Sequence, residues 1–182
     1  MRWKQLLSWA IFAGAVTLAC AQTAGIDPAL QAKAEAGDPS AQVSLGESYV
    51  AARDLKQAAD WYRKAATQGF IPGEIHLAAL YRDGGKGFPR DMAQAAEWYR
   101  KAAMQGDVTA QGILGVLYSF GQGVAQNYSE AYFWLDLAAS VKGPEQEKYA
   151  ANRQLVGTHI TTDELEEVQE RVAKWKAAKK QH

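Results

Sequence analysis

The chain has 182 residues, with 20 basic and 20 acidic side chains, a formal net charge of +0 and 48% hydrophobic residues. That length supplies one domain or one short array with a sizeable core, and leaves no room for tandem extra domains. The balanced charge lacks the basic excess that nucleic-acid binding requires, so no nucleic-acid partner is expected.

At the start, Arg2 and Lys4 precede the uncharged run LLSWAIFAGAVTL, which ends in the small residues Ala19, Cys20 and Ala21. A charged start, a short apolar stretch and a small-residue ending predict a secretory signal peptide over residues 1–21, cleaved between Ala21 and Gln22. The run is too short for a comfortable membrane span. Removal of this segment leaves 18 basic against 20 acidic residues and takes away Cys20, the one cysteine. A mature chain without thiols has no disulfide and no cysteine metal site. The stretch TLAC resembles the lipobox of bacterial lipoproteins, with Thr17 where leucine is usual; Cys20 is therefore the alternative lipidation site, anchoring the chain instead of leaving it periplasmic or secreted.

Asp27-Pro28 predicts a short helix through Ala36, with proline in the first turn where its missing N–H costs nothing. Two helical patterns then alternate. The first reads Ala41, Leu45, Gly46, Tyr49; then Gly73, Leu77, Ala78, Tyr81; then Ala110, Leu114, Gly115, Tyr118. Positions i, i+4, i+5 and i+8 share one side of a helix, and the small member lets another helix come close. The second reads Ala58, Trp61, Tyr62, Ala65, Ala66, then Ala95, Trp98, Tyr99, Ala102, Ala103, then Ala131, Trp134, Leu135, Ala138, Ala139. Two copies of the second pattern are nearly identical: AADWYRKAATQG at 58–69 and AAEWYRKAAMQG at 95–106. A packing unit that leans on its neighbour is needed in several copies, whereas a catalytic site seldom is.

Each second-type helix opens on a capping residue with an amide or acid three positions on: Asp54 with Gln57, Asp91 with Gln94, Asn127 with Glu130. This spacing predicts reciprocal capping hydrogen bonds, worth on the order of 1 kcal/mol each. Gly69 and Gly106 follow where a left-handed cap is wanted. After Gly143, Pro144 to Val156 reads as a helix. Thr161 to Glu164 is a capping box for a last amphipathic helix carrying Leu165, Val168, Val172 and Trp175. The cations Arg171, Lys174, Lys176, Lys179 and Lys180 suit the negative end of that helix.

Between first and second helices lie GKGFPRD (85–91) and GQGVAQN (121–127), while the earliest unit has only VAARD. The A-x-x-x-L-G-x-x-Y helix, G-x-G-apolar-x-x-Asp/Asn loop and A-x-x-W-Y-x-K-A-A helix resemble the Sel-one-like repeat, a helical-hairpin relative of the tetratricopeptide repeat. The resemblance covers residues 39–143 as three units, 39–70, 71–106 and 107–143, flanked by an N-terminal capping helix within 22–38 and C-terminal capping helices within 144–182. The first unit departs in its missing loop, the third in Leu135-Asp136-Leu137 for Tyr-Arg-Lys. It implies an all-α solenoid of stacked antiparallel hairpins. Leu45, Tyr49, Trp61, Leu77, Tyr81, Trp98, Leu114, Tyr118 and Trp134 are then the repeat-packing residues, since a two-helix unit cannot bury its apolar face alone.

Motifs for chemistry are lacking. There is no HExxH or nucleophile elbow, and GGKG at 84–87 lacks the spacing of a phosphate loop. His76 has no sequence-visible partner set, and the NYS sequon places its Asn127 at a helix cap. Neither enzyme nor cofactor nor metal is expected.

The resemblance places the first helix of each pair on the concave side. It nominates Val43, Glu47, Val50, Ile75, Ala79, Arg82, Gly112, Val116 and Ser119 as partner-binding positions for a protein or peptide in the bacterial envelope. A monomer is expected. Two alternatives stand beside this adaptor reading: an envelope enzyme acting on cell-wall or β-lactam substrates, whose relatives carry paired cysteines that this chain lacks, and a lipid-anchored scaffold of a polysaccharide-export assembly.

Overall fold

The computed structural model describes residues 26–179. The expected signal peptide, its expected cleavage point and Cys20 lie outside the described residues. Nine helices follow one another among them: α1 Pro28–Glu35, α2 Pro39–Ala51, α3 Leu55–Thr67, α4 Ile71–Asp83, α5 Met92–Gln105, α6 Val108–Phe120, α7 Tyr128–Ala139, α8 Gln146–Gly157 and α9 Thr162–Lys179. None of them is long and apolar enough to cross a membrane. Each helix packs on the next from α1 to α8, first-type helices also meet across units (α2 with α4, α6 with α8), and α9 returns to α7. The chain is an all-α solenoid.

Close approach within a hairpin rests on small residues. A Cβ added at Gly46 would lie 2.4 Å from the Tyr62 ring, and one at Gly115 would lie 2.6 Å from Leu135 Cγ. The first-type helix thus lies against the bulky residue of its partner with no side chain between. Trp61, Trp98 and Trp134 are 8%, 9% and 6% exposed, and the alanines of the second pattern are buried beside them.

The helix starts correct one expectation. Asp54, Asp91 and Asn127 accept from the amides of Gln57, Gln94 and Glu130 at 3.1, 3.0 and 2.9 Å, but the side chains of those residues do not reach back. Instead the capping residue's own amide donates to the tyrosine carbonyl of the preceding helix: Asp54 to Tyr49, Asp91 to Tyr81 and Asn127 to Tyr118, at 2.9, 2.8 and 3.0 Å. The loop closure therefore supplies the bond that a capping box would have made. The full reciprocal box forms only where no such loop precedes the helix, between Thr161 and Glu164. In the first unit, without the glycine loop, Arg53 takes φ 61°. Left-handed backbone at a residue with a Cβ costs about 1–2 kcal/mol, so the shorter turn is the more strained one.

Three buried polar residues occupy matching places in the first-type helices. Gln42 and Gln111 donate to the carbonyls of Ala34 and Ala103, closing the C-terminal turn of the preceding helix. The matching Glu74 has no amide to donate; it accepts from Gln105 Nε2 at 2.8 Å. Burial pushes its carboxyl pKa up, against the opposing pull of Lys101 and Gln105.

Two predictions follow from this packing. Gly46→Val forces the Tyr62 ring out of its seat and is expected to lower the unfolding free energy by about 1–3 kcal/mol, read by urea denaturation. For Glu74, the folded chain holds a proton that the unfolded chain has already lost, so its contribution to stability rises as pH falls from neutrality through the raised folded pKa. Glu74→Gln is expected to lose that part of the pH dependence, as followed by urea midpoints across the acidic range.

Candidate functional site

The first-type helices form one continuous face, and α8 extends it. Three clefts run along this face. The first, of about 300 Å³, is lined by Val50, Leu55, Tyr62, His76, Ala79 and Asp83 among others. The second, about 410 Å³, includes Arg82, Gly112, Ile113, Val116, Lys148 and Tyr149. The third, about 310 Å³, lies between the ends of α6 and α8 and includes Val116, Ser119, Phe120, Tyr128, Leu155 and His159.

Among the nominated positions, Val50, Ala79, Arg82, Val116 and Ser119 line these clefts, and Glu47 is exposed beside the first. Ile75 is half-buried against the main core. Two positions are different. Val43 is buried at 7% exposure, and Gly112 lies under the Tyr149 ring, whose Cε1 would be 2.1 Å from an added Cβ. Val43 lines none of the three clefts, and Gly112 reaches the second only beside the Tyr149 ring that α8 seats over it, where the sequence pattern suggested an open groove floor.

The first cleft holds Tyr62, His76 and Asp83. His76 stacks on Tyr62 at 5.0 Å between ring centroids, with planes 18° apart, and its Nε2 is 3.6 Å from Glu47 Oε1. Burial, assisted by the Glu47 charge, pushes the Tyr62 phenol up to about 12. In the second cleft, Arg82 is held by Asp83 at 2.8 Å and donates to the Tyr99 hydroxyl at 3.2 Å, so its charge is already compensated within the chain. Among the described residues no group of three or more histidine, cysteine or acidic side chains is placed to hold a metal ion.

The packing residues acquire partners that the periodicity did not announce. Lys64 and Lys101 lie over the Trp61 and Trp98 rings at 3.4 and 3.7 Å, and Arg63 and Arg100 each donate to a tyrosine of the next unit, Tyr81 and Tyr118, at 2.9 Å. The conserved spacing of Arg and Lys within the duplicated segment was the available signal. In the third unit these two positions hold Asp136 and Leu137. Asp136 binds Arg153 of α8 and, at 3.1 Å, Lys176 of α9. Trp134 there meets Phe133 and Trp175 edge-on, at centroid distances of 5.0 and 5.9 Å.

A Sel1 repeat model matches residues 39–70, 72–107 and 108–140. Among solved structures, a protective antigen of uropathogenic Escherichia coli strains displaying an SLR fold superposes with a TM-score of 0.69 at 33% identity, over 80% of this chain and 31% of that one. The chain thus spans about a third of that antigen's length. A Sel1 repeat protein from Oxalobacter formigenes matches at 31% identity and a TM-score of 0.59, over 66% of this chain and 92% of that one. Cysteine-rich protein B of Helicobacter pylori, at 22% identity and a TM-score of 0.53 over 66% and 90% of the two chains, is similar in fold. No curated protein matches the chain.

The pKa of Tyr62 sets an expected alkaline behaviour. The unfolded phenol ionises near 10 and the folded one near 12, so stability is fully present below pH 10 and declines as pH rises between those values. Tyr62→Phe removes this part of the decline, which urea midpoints measured across the interval will register.

Proposed function

The chain belongs to the Sel1 repeat family, and from that membership we propose that it is a non-catalytic docking module of the bacterial cell envelope, holding a peptide or protein partner on the concave face formed by its first-type helices. Sel1 repeats are generally protein-interaction modules and are typically non-catalytic. The observation that carries the reading is the row of three clefts along α2, α4, α6 and α8, lined largely by small and apolar side chains. A stack of hairpins generates such an extended surface as a consequence of its packing, and apolar clefts at intervals suit the alternate side chains of an extended segment or one side of a helix. The envelope assignment is supported by the signal-like segment at residues 1–21.

A photo-crosslinking residue placed at Glu47, Ala79 or Ser119 in cells is expected to capture one and the same protein from all three positions. Ala79→Arg, which fills the first cleft with a charged side chain, is expected to weaken that partner's binding by about tenfold or more. Absence of capture from these positions, with efficient capture from the opposite face at Glu97, would overturn the reading.

A further inference from the structure

The third cleft differs from the other two in its chemistry. Residues 108–129, which include all of α6 and the loop after it, contain no Asp, Glu, Lys or Arg, and neither do residues 154–162 at the end of α8. The fold brings these two stretches together, and no Asp, Glu, Lys or Arg lines the cleft between them, His159 being its one imidazole. Phe120 and Leu155, 67% and 62% exposed, both line it. The positions of α2 and α4 that correspond to Phe120 hold Ala51 and Asp83, so the exposed ring belongs to this unit alone.

The walls are fixed before any ligand arrives. Gln126 Nε2 donates to the Ser119 carbonyl at 2.8 Å and to the Tyr128 hydroxyl at 3.1 Å, tying the loop to the helix end. The Tyr128 ring stacks on His159 at 4.6 Å with planes 15° apart, tying the start of α7 to the turn after α8. A pre-formed wall spares the ordering cost that weakens most exposed apolar contacts. The volume, about 310 Å³, is that of a small ligand pocket, enough for one large side chain and too little for a whole helix. A cation entering it would leave water without an opposite charge to meet, whereas an uncharged aromatic or aliphatic group covers Phe120 and Leu155.

We propose that this cleft is the anchor subsite of the docking face, taking one large uncharged side chain, aromatic or long aliphatic, from the partner segment. The proposal rests on the docking function above and specifies the partner's chemistry at the α6–α8 end.

The test uses the full chain with labelled leucine methyl groups and N-acetyl-tryptophanamide as probe, observed by NMR. The probe is expected to shift the Leu155 methyl and His159 ring signals saturably, and Phe120→Lys and Leu155→Lys are each expected to weaken it by about tenfold or more. Both positions are exposed, and circular dichroism checks that the variants keep the helical fold. N-acetyl-argininamide is expected to leave the same signals in place. The proposal is overturned by the absence of saturable shifts, by equal binding in both variants, by argininamide binding as well as tryptophanamide, or by Leu155 signals that move when the protein alone is diluted, which would make a second copy the occupant. Loss of the probe result alongside intact crosslinking from Glu47 and Ala79 removes the anchor and leaves the docking function standing. Saturable shifts without any crosslinked partner remove the docking function alone.

Discussion

The structure depends on one constraint: two helices cannot close their own apolar faces, so each hairpin has to lie directly against the next. Direct contact needs small residues under large ones. Gly46 beneath Tyr62 and Gly115 beneath Leu135 bring the two helices of a hairpin to van der Waals distance. Gly73, whose added Cβ would sit 2.7 Å from Ala65 Cβ, does the same between one hairpin and the next. At native packing density every missing methyl on these seats is already filled by a neighbour's ring or branch, which is why the spacing of glycine and alanine recurs more strictly than the identity of the exposed residues. The tryptophans then fill the remaining volume, and Lys64 and Lys101 place their ammonium groups over the rings of two of them.

An array built this way has to stop, and the third unit does so by changing the residues that would have received a fourth. Asp136 in place of arginine reverses the charge, and Leu137 in place of lysine removes the cation from above the tryptophan. The reversal gives Arg153 and Lys176 a common acceptor, and the open ring of Trp134 is met by Phe133 and Trp175. With Val168 and Val172 buried in the main core, α9 packs on α7 beside α8. The fit has a cost: Trp134 Nε1 is buried with no hydrogen-bond acceptor among the described residues. An unpaired buried donor loses about 1–3 kcal/mol, which the aromatic contacts around it have to offset.

The same ending shapes the candidate site. Because α8 is the last member of the first-type face, its Tyr149 closes over Gly112 and its Leu155 approaches Phe120. Charge therefore varies along the face: Glu47, His76 and Asp83 stand at the first cleft, Arg82, Glu145 and Lys148 at the second, and no Asp, Glu, Lys or Arg lines the third. Legibility of this face in the sequence was uneven for a physical reason. Val50, Ala79, Arg82, Val116 and Ser119, nominated from the family resemblance and their helical phase, line the clefts, since phase decides which side of a helix a residue occupies. Phase does not decide what covers that side, so Val43 shares the pattern and yet is buried, and Gly112 lies under the Tyr149 ring.

What the sequence determined by itself is local and repetitive. Helix starts at Asp54, Asp91, Asn127 and Thr161, glycine turns, the pairing of bulky with small positions and the return of one hairpin three times all follow from short-range sterics and hydrogen bonding, which act over a few residues and leave a direct trace in spacing. The reciprocal caps were misread at three helix starts because their amides found carbonyls in another helix, at Tyr49, Tyr81 and Tyr118. Tertiary structure alone decided those bonds, the meeting of Asp136 with Arg153 and Lys176, and the convergence of residues 108–129 with 154–162. Each joins groups from different helices whose distance is set by the accumulated geometry of the stack, and no periodicity along the chain encodes that distance.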